Sequence, residues 1–187
     1  MKTFLHTFTL LLAIVPFAFS ANVARADAKV SIEGVHMCCP GCAAAIDEAV
    51  AKAVEDEKNP VEVAAKIDQE NGTVALVGAD LAAVQAAVDQ IAAAGFHGKL
   101  DNKEVKWPKV KLPKEKVSRL EVTGVHNCCG ACVKAIKGAL AEVKGVTAET
   151  VKPKETSFVI EGDFEPKAAF QALHKAGFHA SLPEEKK

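Results

Sequence analysis

Every cysteine of the 187-residue chain falls in one of two clusters that read alike: Gly34-Val35-His36-Met37-Cys38-Cys39-Pro40-Gly41-Cys42 and, ninety positions later, Gly124-Val125-His126-Asn127-Cys128-Cys129-Gly130-Ala131-Cys132. A motif repeated at fixed register within a repeated pattern marks two copies of one folding unit. Thiolates this close together in sequence can close on a single soft metal ion.

The pattern around the clusters supports two units. Val30, Ile32 and Gly34 alternate with Ser31, Glu33 and Val35, and Leu120, Val122 and Gly124 repeat the alternation, predicting a half-buried strand before each cluster. Cys42, Ile46, Val50 and Ala53, matched by Cys132, Ile136, Leu140 and Val143, recur at helical spacing, so the last cysteine of each cluster should begin a helix. Apolar runs from Val61 to Ile67 and from Thr73 to Val77 flank the turn Asn71-Gly72, and runs from Val146 to Val151 and from Ser157 to Ile160 flank Pro153-Lys154-Glu155-Thr156. Asp80 and Asp163 are predicted N-caps of second helices that Gly95 and Gly177 stop, and a last strand should start at Phe96 and at Phe178. The order strand-helix-strand-strand-helix-strand predicts an α+β fold of two ferredoxin-like βαββαβ domains, each a four-stranded antiparallel sheet with two helices. The boundaries are 27–101 and 116–183, with residues 102–115 as a Lys- and Pro-rich linker and 184–187 as a tail. The linker reads as an extended, stiff spacer of at most about 40 Å. Its Trp107 reads as a packing anchor.

Residues 1–26 set the expected compartment. Lys2, the apolar run from Leu10 to Phe19 and the small-x-small Ala24-Arg25-Ala26 have the form of a cleaved signal peptide, which predicts a periplasmic or secreted protein with no membrane attachment after cleavage. Of 23 Lys and Arg, removal of Lys2 and Arg25 leaves 21 against 24 acids, a net charge of −3. That balance gives nucleic acid no basic surface to bind. No Ser-His-Asp arrangement, paired carboxylates or phosphate loop stands out, so the chain reads as a binding protein rather than an enzyme.

The cysteine loops carry the chemistry. Cys39 with Cys42, and Cys129 with Cys132, are Cys-x-x-Cys pairs at the mouth of a helix, whose positive end favours the thiolate that binds metal. Cys38 and Cys128 add a third sulfur beside each pair, which favours three-coordination over a two-coordinate site. His36 and His126 are further candidate ligands, as are Met37, which can equally pack as an apolar residue, and His97 and His179, which follow the repeated Gly-Phe. His174 has no counterpart in the first copy and reads as an exposed side chain. The same Cys-x-x-Cys spacing also serves thiol-disulfide exchange, the alternative from a different class.

Each copy resembles a heavy-metal-associated domain, as found in copper chaperones, the N-terminal arms of metal-transporting ATPases and the periplasmic mercury-binding protein. The resemblance rests on the Cys-x-x-Cys between first strand and first helix and on Gly95-Phe96 and Gly177-Phe178 at the last strand, and it spans the mature chain apart from the linker. It implies Cys39, Cys42, Cys129 and Cys132 as ligands of a soft ion, with a metal transporter or metalloprotein as acceptor. Cu(I) is the favoured ion, followed by Zn(II), Hg(II) and Cd(II). This chain departs from the family motif in a Gly-to-Cys loop longer by two residues, in Asn127 where the first copy has Met37, and in the extra Cys38 and Cys128.

Overall fold

The computed structural model describes residues 27–55 and 60–184; the expected signal peptide and the end of the tail lie outside them. The first half runs β1 (Ala28–Glu33), α1 (Pro40–Val54), β2 (Val63–Asp68), β3 (Thr73–Gly78), α2 (Leu81–Ala93) and β4 (Lys99–Leu100). The second runs β5 (Val117–Val122), α3 (Gly130–Ala141), β6 (Val146–Glu149), β7 (Phe158–Phe164) and α4 (Pro166–Lys175). Both sheets are antiparallel, one in the order β2-β3-β1-β4 and the other β5-β7-β6.

Strand alternation builds each core. Val30 faces Leu76 and Ile32 faces Val74 across β1 and β3, and all four are buried under Ile46 and Val50 of α1 and Val84, Val88 and Ile91 of α2. In the second half Leu120 pairs with Ile160 and Val122 with Phe158, beneath Ile136 and Leu140 of α3 and Phe170 and Leu173 of α4. Each such side chain withdrawn from water contributes about 1.5–3 kcal/mol. Each half thus has apolar faces of its own to bury.

The predicted last strands are shortened. In the first half only Lys99–Leu100 pair with β1; in the second, no last strand forms among the described residues, and Thr123, just after β5, bridges Ser181. The residues expected to open these strands are engaged elsewhere: Phe96 and Phe178 form an antiparallel bridge to each other, joining the two halves. The Gly95 carbonyl accepts from the His179 amide at 2.9 Å and the His126 amide at 3.4 Å, and the Gly177 carbonyl accepts from the His97 amide at 3.1 Å and the His36 amide at 3.4 Å. Both glycines have positive φ, +87° and +89°, and a Cβ at either would overlap the amide nitrogen of His126 or His36. Only glycine meets both demands.

Three further expectations change. Asp163 lies within β7 and pairs with Lys116 at 2.8 Å; Glu165 occupies the cap of α4 and Pro166 its first turn, where a missing N–H costs nothing. Helices α1 and α3 begin before Cys42 and Cys132, with Cys39 and Cys129 as their N-cap residues. The linker is not a free spacer. Val105 is buried, the Gln85 side chain bonds both the amide and the carbonyl of Lys106 at 2.8 and 2.7 Å, and Trp107 donates its indole N–H to the Gly98 carbonyl at 2.8 Å. These contacts strap the linker to the first half, with Trp107 in the packing role expected of it.

Candidate metal centre

Docking of the halves through the Gly-Phe-His segments brings the two cysteine loops together. Cys39 and Cys129 are extended N-caps with φ of −156° and −151°, so their sulfurs stand at the exposed amides of the helix start. Two residues into each helix, Cys42 and Cys132 turn inward and are fully buried. All six thiols are free.

The sulfur distances sort the six into two triangles. Cys38 lies 3.5 Å from Cys129 and 3.5 Å from Cys132, which are 3.9 Å from each other. Cys128 lies 3.5 Å from Cys39 and 3.7 Å from Cys42, which are 3.7 Å from each other. Each Cys-x-x-Cys pair therefore takes its third sulfur from the opposite half. The triangles are joined by Cys38–Cys42 at 3.8 Å and Cys128–Cys132 at 3.7 Å. Sulfurs about 3.7 Å apart leave a centre about 2.1 Å from each, near the ~2.3 Å of a metal–thiolate bond, whereas a linear two-thiolate site needs about 4.6 Å between its sulfurs. The donor set fits a soft ion held by three thiolates.

The electrostatics are matched in the two triangles. The Cys132 amide, then the Cys38 thiol, lower the Cys129 pKa to about 6, and the Cys42 amide, then the Cys128 thiol, lower that of Cys39. Cys38, although exposed as a residue, turns its sulfur in among the others. That desolvation, followed by hydrogen bonds to Cys129 and Cys132, raises its pKa, and Cys128 is raised in the same way. Burial also raises Cys42. Each triangle thus joins a thiol whose pKa is lowered to one whose pKa is raised; a soft ion held there would displace the proton of the second.

His36 packs tilted against Phe178 at 4.5 Å and His126 stacks on Phe96 at 4.2 Å, each across the junction of the halves. Burial lowers both pKa values, and the Nε2 of each is buried without a hydrogen-bond partner among the described residues. A ring nitrogen of His126 groups with the sulfurs of Cys42, Cys128 and Cys132, and one of His36 with those of Cys38 and Cys132, all within 4.8 Å. These two imidazoles border the thiols as neutral nitrogen donors.

Other expected candidates are placed elsewhere. Met37 is packed in the core; Asn127 in its place is buried and donates its side-chain amide to the Lys152 and Glu155 carbonyls at 2.7 and 3.0 Å, pinning the second loop. His97 and His179 group with each other and with His174, not with the cysteines. His174, expected to be exposed, is half-buried against His97. Its signal in the sequence was the break in the repeat: three residues before Gly177 stands a histidine where Ala92 stands before Gly95.

The profile of the heavy-metal-associated domain matches residues 120–179. Residues 120–179 are a heavy-metal-associated domain. No curated protein matches the chain. Among solved structures, the solution structure of the N-terminal soluble domains of Bacillus subtilis CopA aligns at 17% identity over 85% of this chain and 95% of that one, with a TM-score of 0.31. The match runs from Leu120, within β5, to His179 and so includes Cys128, Cys129 and Cys132.

Proposed function

We propose that this chain is an exported, non-enzymatic protein of two heavy-metal-associated units that sequesters or hands over a soft cation, Cu(I) foremost, through its two CCxxC loops. The observation that carries this reading is the pair of three-sulfur triangles, each with edges of 3.5–3.9 Å. The first half, residues 27–101, is read as a second copy of the domain at 120–179 because its elements follow the same order and its cysteines take equivalent places. Three thiolates per ion also suit Hg(II), Cd(II) and Zn(II), so the identity of the ion rests on affinity and supply. A transporter domain or metalloprotein is the proposed acceptor, meeting the loop that carries the exposed residue Cys38. The periplasm or the cell exterior is the proposed place of action, from the form of residues 1–26.

Anaerobic titration of the reduced chain with Cu(I) against a competing chelator tests the reading, with about two ions per chain expected. Binding no tighter than that of free thiols overturns it. Thiol-disulfide exchange is disfavoured, because every cysteine has sulfur neighbours in the opposite half as well as its own. Insulin reductase activity from the metal-free protein would reinstate it.

A further inference from the structure

We propose a second metal site of different chemistry, formed by His97, His174 and His179, for a borderline divalent cation such as Cu(II) or Zn(II). The crossing of Gly95-Phe96-His97 with Gly177-Phe178-His179 sets one histidine from each half side by side, and His174 reaches them from the last turn of α4. One ring nitrogen from each of the three lies within 4.8 Å of the other two.

Three observations point to a ligand. First, Nδ1 of His97, Nδ1 of His179 and Nε2 of His174 are all buried without a hydrogen-bond partner among the described residues. Buried polar nitrogens are almost always satisfied, and three orphans within one cluster mark a missing partner. Second, all three imidazoles are held neutral: burial and the neighbouring histidines hold His97 at about 3 and His179 at about 4, and burial lowers His174. Neutral imidazole is the form that ligates metal. Third, the site departs from the repeat. Its third ligand stands where the first half has Ala92, so the internal symmetry of the fold does not account for it.

The cluster lies on an access route, since a surface cavity of about 580 Å³ is lined by His97 and His174 together with Glu33, Lys99 and Lys175. Three nitrogen donors without thiolate suit the divalent, less soft ions that the cysteine centre would not select. Without an ion the His97 and His174 rings stack at 3.9 Å and 3°, an arrangement in which their in-plane lone pairs do not meet at one point. Binding therefore turns His174, half-buried at the cavity wall, out of the stack. Trp107, the sole tryptophan, stacks on His97 at 4.5 Å and reports the change.

The test uses the full reduced chain with its thiols first saturated by Ag(I), so that added Cu(II) meets neither free thiol nor a reductant. Titration with Cu(II) at pH 7.5 should give one ion per chain, an electron paramagnetic resonance spectrum with three-nitrogen hyperfine structure, and quenching of Trp107. His174→Ala, which installs the residue the first half carries, should lose at least tenfold in Cu(II) affinity, with its Ag(I) capacity and circular dichroism unchanged. Absence of the three-nitrogen signal, or a His174→Ala titration identical to wild type, overturns the proposal. His174→Gln separates loss of the ligand from loss of volume: if it binds Cu(II) as wild type does, the proposal is likewise overturned.

Discussion

Phe96 and Phe178 bridge the two halves of the molecule as an antiparallel pair, both fully buried, and the glycine before each gives its carbonyl to two amides of the opposite half. Everything at the metal centre depends on this crossing. It places each cysteine loop against the other and shortens the pairing of each last segment with its own half.

Gly95→Ala and Gly177→Ala should each undo the docking. The positive φ disfavours alanine, and the added Cβ meets backbone rather than a movable side chain. A loss of about 1–3 kcal/mol is expected. Small-angle scattering should show the halves separating while circular dichroism keeps its helix and strand content. Unchanged scattering and stability in both variants would show that the crossing does not hold the halves together.

Two triple variants should distinguish sulfurs shared across the halves from sulfurs kept within one. Cys39→Ser with Cys42→Ser and Cys128→Ser leaves Cys38, Cys129 and Cys132, one full triangle, and should hold one ion with three sulfurs. Cys38→Ser with Cys39→Ser and Cys42→Ser leaves the whole second-half cluster, and should show two sulfurs and weaker binding. X-ray absorption on the Hg(II)-loaded proteins counts them. The reverse result would return the third ligand to its own half.

Metal-free protein should lose stability as pH falls from about 6.5. His97 and His179 have folded pKa values near 3 and 4, below the unfolded value, and His174, His36 and His126 are also lowered. The unfolded chain therefore takes up protons that the folded chain refuses, so stability is complete above about 6.5 and falls until the folded values are passed. Urea midpoints between pH 7.5 and 5, above the range where carboxylates titrate, measure this. A flat profile there would mean that the imidazoles are hydrated in solution.

Removal of metal should leave the fold standing. Val30, Ile32, Ile46, Leu76 and Ile91 in one half and Leu140, Ile160, Phe164, Phe170 and Leu173 in the other supply most of the buried apolar surface. Cooperative unfolding should therefore persist in chelator, unlike in a domain that owes its folding energy to its ion. Loss of protected amides in the metal-free protein would make the centre structural.

Much of this was legible from residue order because local structure follows local pattern. The alternation of Val30 and Ile32, the helical spacing of Cys42, Ile46 and Val50, the Asn71-Gly72 turn and the Asp80 cap each act within a few residues. The repeat of Gly-Val-His and Cys-Cys likewise singled out the two loops that the structure brings together. Asp163 misled because Pro166, a stronger helix-start signal, lies three residues on and lets β7 run past the aspartate.

The sequence by itself determined the order of most elements and singled out the six cysteines as the candidate ligands. The tertiary structure alone decided which thiols lie together, why the last strands are cut short and how His174 joins His97 and His179. Cys38 meets Cys129 across 91 positions and Cys132 across 94, and no local period encodes such a pairing. It follows from two preformed halves meeting where only glycine permits the backbones to approach, a long-range fit decided by shape once each core has formed.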